Sequence, residues 1–112
     1  MEFSENKPIY IQIADNICEQ ILSGNLATGE RIPSVREWGA TIGVNPNTVA
    51  RSYEMLSDKK IIANQRGIGF FVAEDAISRI RDIERTAFLE EILPSIIKKA
   101  ELLGIDLKNY IK

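Results

Sequence analysis

"GVNPNTVARSYEML", residues 43–56, begins as a turn and continues as a helix. Asn45 is a good N-cap, and Pro46 fits the first helical position, where its missing N–H costs nothing. Val49, Ser52, Tyr53 and Leu56 then recur at the spacing of one helical face, which predicts a helix ending near Lys59–Lys60. A cap needs one side chain. Asn47 and Thr48 are therefore surplus to the helix start, and Arg51 follows them on the same exposed face. Short donor–acceptor groups at the N-terminus of a recognition helix reach base edges in the major groove.

"PSVREWGATIG", residues 33–43, precedes this helix, with a single residue, Val44, between Gly43 and the start signal at Asn45. Ser34 followed by Glu37 is a capping-box pattern. Val35, Trp38 and Ile42 predict a short buried face. Gly39 costs the helix about 1 kcal/mol relative to Ala unless close packing requires it. Two modest helices joined by a tight glycine-bearing turn are the signature of a helix-turn-helix. Downstream, Ile61–Gln65 and Phe70–Ala73 are β-prone, and "RGIG" between them signals a turn. A hairpin directly after a helix-turn-helix makes a winged helix, with Arg66 and Gly67 at the wing tip. Upstream, Tyr10, Ile13, Ala14, Ile17 and Ile21 predict a helix over residues 8–23. "NLATGERI", residues 25–32, reads as a turn-rich connector.

The remainder changes character. Residues 74–103 are patterned as helix, with Pro94 inside the run, so a kink or break is expected at or just before it. Asp106 can cap a last short helix in "LKNYIK". A tail of about 40 residues is too small to enclose a ligand pocket of its own. Its apolar residues must go against the first domain or against another chain.

Composition narrows the chemistry. The 112 residues are 45% apolar and 27% charged, as in a globular domain. There is no histidine, which removes His-based triads, His general bases and His-ligated metals. No nucleophile–base or metal spacing replaces them, so neither an enzyme nor a cofactor is expected. Cys18, the single cysteine, reads as a small apolar filler. "MEFSENKPIY" has no basic stretch leading into an apolar one, and no apolar run is long enough for a membrane span. The expected compartment is the cytoplasm. The net charge of −2 hides an asymmetry: residues 31–71 carry six basic against three acidic groups, whereas residues 1–30 carry one against five. Local charge is what a phosphate backbone feels within a Debye length.

The series from "PIYIQIADNICEQILSG" through "PSVRE", "GVNPNTV" and the wing ending "FFV" resembles the DNA-binding domain of the GntR family of bacterial transcription regulators. The likeness covers about residues 8–73, in order and at family spacing. "PIYIQI", "VNPNTV" and "KKAELLGID" in the short tail resemble the YtrA-like subfamily, whose members carry a small two-helix dimerisation region. Many of them sit beside genes for transport systems. The larger relatives carry a ligand-sensing or aminotransferase-like domain, for which this tail has no room. Three features depart from the family. Trp38-Gly39 stands where Leu-Ala is usual, the wing reads "RGIGFFV" where Gly-Lys-Gly-Thr is common, and Asn-Pro-Asn replaces the Ser/Thr-Arg of other branches.

The reading is therefore an α+β chain: a winged helix-turn-helix DNA-binding domain over residues 1–74 and a helical dimerisation tail over 75–112. The resemblance implies a homodimeric regulator, expected to be a repressor, on a palindromic double-stranded DNA operator. The DNA-facing set is Ser34, Arg36, Asn45, Asn47, Thr48, Arg51, Arg66 and Gly67. Lys59 and Lys60 read as solvated helix-end charges and Tyr10 as core. A small-molecule effector is unassigned: either one binds between the tail and the DNA-binding domain, or there is none. A winged helix serving as a protein-interaction module is the alternative.

Overall fold

A computed structural model describes Phe3 and residues 6–111. The chain divides into two compact units after Ile80. That division falls six residues beyond the expected boundary at 74, because Ala76 and Ile80 are buried in the core of the first unit.

In the first unit, α1 (Ile9–Leu22), α2 (Val35–Ile42) and α3 (Pro46–Asp58) precede a hairpin of β1 (Ile62–Gln65) and β2 (Gly69–Val72). The strands pair antiparallel, with Ile62 opposite Val72 and Gln65 opposite Gly69. Ile13, Ile17 and Ile21 from α1 meet Val49, Tyr53 and Leu56 from α3 in one core, closed by Ile62 and Val72 of the hairpin. Truncating such a buried Ile to Ala costs about 2–5 kcal/mol. Trp38 is buried in the same core, while Val35 and Ile42 are half-buried against it.

Two buried polar groups fix the helices to one another. The Ser52 hydroxyl, fully buried, donates to the Tyr10 carbonyl at 2.6 Å and so ties α3 to α1. The Tyr53 hydroxyl donates to the Pro33 carbonyl at 2.5 Å. Its ring meets Phe70 edge-on, with centroids 5.0 Å apart. Tyr53 thereby joins α3 to the entry of α2 and to the wing. Burial, and secondarily the charge of Glu37, raises the Tyr53 pKa well above the ordinary phenol value. The hydroxyl stays a neutral donor.

The connector before α2 holds more structure than its sequence suggests. Arg31 bridges Phe71, and the Ile32 N–H donates to the Phe70 carbonyl while the Val72 N–H donates to that of Glu30. Residues 30–32 thus add a short third edge to the hairpin. Nothing in "NLATGERI" alternates, so periodicity could not reveal it.

The second unit contains most of α4 (Ala76–Ala87), a π-helical stretch at Phe88–Ile92, α5 (Leu93–Leu102) and a short 3-10 turn at Leu107–Asn109. Pro94 neither breaks nor ends the helical run. Proline has no N–H to give the carbonyl four residues back, and its ring crowds that carbonyl. The preceding turn widens instead: the Leu93 N–H reaches the Phe88 carbonyl, five residues back. The apolar residues here recur every fourth position, as Phe88, Ile92, Ile96 and Ala100. Such a stripe drifts by about 40° per step around a regular α-helix, and a wider turn offsets part of that drift. Asp106 caps the final turn by accepting from the Lys108 N–H at 3.0 Å, as expected, but the helix it starts is only three residues long.

Candidate nucleic-acid interface

The turn between α2 and α3 is built by close approach. Gly43 takes φ 73°, a left-handed conformation that favours glycine. The Val44 N–H then returns to the Gly39 carbonyl at 2.9 Å. A Cβ on Gly39 would lie 2.6 Å from the Val44 carbonyl oxygen. Gly39 is therefore what lets the turn close against α2, and the helix propensity it gives up is the cost of that contact.

At the α2 start, the Ser34 hydroxyl accepts from the Glu37 N–H at 3.1 Å, and the Glu37 carboxylate accepts from the Ser34 N–H at 3.2 Å. The capping box is complete. The Ser34 backbone N–H, then its hydroxyl, and to a smaller degree the charge of Arg31, hold the Glu37 carboxyl below its usual pKa. Ser34 thus has a structural task at the point where Arg36 leaves the helix.

At the α3 start, the Asn45 side chain accepts from the Asn47 N–H at 2.8 Å, with Pro46 following it. Asn45 is the cap. The side chain of Asn47 is exposed and has no partner among the described residues. Arg36 from α2, the cap Asn45, and Pro46, Asn47 and Ala50 from α3 line one shallow groove of about 500 Å³. Thr48 is half-buried beside it. At the wing, the Ile68 N–H returns to the Gln65 carbonyl at 2.9 Å, and Gly67 takes φ 80° at the third position of the turn. That places Arg66 and Gly67 exposed at the tip, as the hairpin reading expected, and outside the groove.

Arg51 has a partner that sequence reasoning missed. Its guanidinium carbon lies 3.9 Å from the centre of the Tyr10 ring. The ring comes from the first turn of α1, far away in sequence, and no local pattern signals it. Tyr10 is only half-buried, and Arg51 is exposed.

Two ion pairs form among the described residues, Lys7–Asp15 and Arg79–Asp75. Neither uses Arg31, Arg36, Arg51, Lys59, Lys60 or Arg66. These six cations therefore make no ion pair among the described residues. Among the described residues no His, Cys, Asp or Glu cluster could hold a metal ion, and no helix is long and apolar enough to cross a membrane.

Comparison with known proteins assigns this arrangement. Residues 9–72 match the model of bacterial regulatory proteins of the gntR family. The chain belongs to the GntR family. This GntR protein is 38% identical over 111 residues to the uncharacterised HTH-type transcriptional regulator YhcF of Bacillus subtilis, covering 99% of this chain and 90% of that one. It is 36% identical over 102 residues to the B. subtilis HTH-type transcriptional repressor YtrA, covering 91% of this chain and 78% of the relative. A GntR family transcriptional regulator from Listeria monocytogenes superposes with a TM-score of 0.80 at 33% identity, covering 96% of this chain and 93% of the other. The protein is a DNA-binding transcriptional regulator of the GntR family, not an enzyme, and the YtrA likeness agrees with the subfamily that its sequence resembles.

Proposed function

We propose that this GntR regulator represses transcription from the cytoplasm as a homodimer on a palindromic operator. Each protomer sets α3 in a major groove and its wing alongside. The observation that carries the DNA-facing assignment is the groove shared by Arg36, Asn45 and Asn47, in a segment whose cations make no ion pair among the described residues. Asn47 offers an amide that can read adenine, and Arg36 a fork that can read guanine or hold phosphate. Ser34 and Asn45 act chiefly through the caps they form, Thr48 and Arg51 extend the reading face, and Arg66 and Gly67 meet the backbone or minor groove.

The second unit supports self-association. Phe88, Leu89 and Ile96 are 46%, 53% and 46% exposed, and Ile92 and Ile97 beside them are exposed as well. An apolar stripe of this extent marks an interaction site. A second copy, presenting the same stripe about a two-fold axis, covers it without a further partner. The two recognition helices then meet half-sites one helical turn, about 34 Å, or a multiple apart. YtrA, the 36% identical relative, is a repressor, which supports the sign of regulation. Transport genes are the expected targets by subfamily likeness.

Gel-shift titration of Arg36→Ala and Asn47→Ala at fixed salt tests the site. Losses of about 1–3 kcal/mol in operator binding support it. Unchanged affinity in both variants contradicts it.

A further inference from the structure

Arg31 lies in the connector, outside every element that its sequence predicts, yet the fold brings it to the wing. Its Nε–H donates to the Ile68 carbonyl at 3.2 Å, at the loop that carries Arg66 and Gly67. The contact is a close one. A Cβ on Gly69 would fall 2.8 Å from Arg31 Nε and 3.4 Å from Nη2, so the guanidinium lies against the bare Cα of that glycine. The backbone underneath is held by the Arg31–Phe71 bridge and by the two flanking hydrogen bonds to β2. The same charge is felt by Glu37 in the first turn of α2, where it favours the ionised carboxylate. Arg31 therefore lies against the wing and, in sequence, three residues before Ser34, the cap that starts α2.

A guanidinium carries five N–H donors. Here one is spent on the Ile68 carbonyl, and among the described residues no carboxylate pairs with the charge. A planar fork with its stem fixed and its outer donors free suits a phosphate, which accepts two parallel hydrogen bonds. We propose that Arg31 contacts a DNA backbone phosphate beside the wing and, through Ile68, braces the wing tip that presents Arg66. This rests on the DNA-binding reading above. It adds a backbone contact that the wing sequence "RGIGFFV" does not show, since its sole cation is Arg66.

The test measures binding to an operator duplex and to an unrelated duplex across a salt series, for the wild type, Arg31→Gln, Arg31→Lys and Arg36→Ala. One lost phosphate contact lowers the slope of log K against log salt by about 1 and weakens binding about tenfold near physiological salt. Arg31→Gln should show both losses, to similar extents on the two duplexes, with an unchanged melting temperature. Arg31→Lys, which keeps the charge, should recover the slope. A wild-type slope and affinity in Arg31→Gln, alongside weakened binding by Arg36→Ala, would overturn the role of Arg31 and leave the DNA-binding reading standing. Equal slope losses in the Lys and Gln variants would also overturn it. Salt-independent binding by the wild type would instead remove the DNA-binding reading itself.

Discussion

The Arg51 guanidinium of α3 stacks on the Tyr10 ring of α1, 3.9 Å from its centre. The two helices are fixed one residue further along, where the Ser52 hydroxyl donates to the Tyr10 carbonyl. A long cation on the proposed DNA-reading face is thus given one preferred direction. Ordering it in advance lowers the entropy lost when it meets DNA.

If the ring does this, Tyr10→Phe should bind operator about as well as wild type. Tyr10→Leu, which keeps bulk but has no π face, should lose about 0.5–1 kcal/mol. Fluorescence anisotropy with a labelled duplex measures both. Wild-type affinity in Tyr10→Leu would show that the stack does not matter for binding.

Gly39→Ala runs against the usual helix rule. Alanine in an exposed helix interior gains about 1 kcal/mol over glycine. Here the new methyl would meet the Val44 carbonyl oxygen at 2.6 Å. Overpacking of this kind costs about 1–3 kcal/mol. Urea unfolding should therefore show a destabilised protein. A stabilised one would mean that the turn gives way freely.

Ser34→Ala removes a cap and should cost about 0.5–2 kcal/mol of stability. The partner carboxylate adds a pH signature. The Glu37 pKa is lowered in the folded state from its usual 4.5, so its contribution is present above that value and is lost as pH falls through the folded one. Wild-type stability should fall more steeply below about pH 4.5 than that of Glu37→Gln, as followed by thermal melts. Parallel curves would count against the capping box as the cause.

Leu89→Glu and Ile96→Glu place charges on the exposed stripe of the second unit. Each should convert a dimer to a monomer at micromolar concentration in sedimentation analysis. Each should also weaken operator binding by well over tenfold, because a monomer holds one half-site only. A wild-type protein that sediments as a monomer would remove the stripe as a self-association surface.

Much of the fold was legible where the signals were local. Gly43, Asn45 and Pro46 mark the turn within four residues, and Ser34 with Glu37 marks the α2 start. What stayed hidden depended on distance along the chain. The edge at residues 30–32 exists only through hydrogen bonds to β2, some forty residues on, and its own sequence has no alternation. Arg31 was invisible as a site residue for the same reason. Arg51 could be read as facing outward, but its Tyr10 partner could not, and the pairing with Glu54 that helical spacing allows is not made. Pro94 announced a disturbance. That the helix would absorb it by widening a turn followed from the apolar repeat only once the backbone was seen.

The α2–α3 surface of this GntR protein is proposed to read a two-fold symmetric DNA sequence. Selection of bound duplexes from a random pool by the full chain tests it most directly. The expected result is enrichment of one palindrome whose half-sites lie about 34 Å or a multiple apart, with enrichment shifted or lost in Asn47→Ala. Recovery of duplexes with no common sequence, by both wild type and variant, would contradict it.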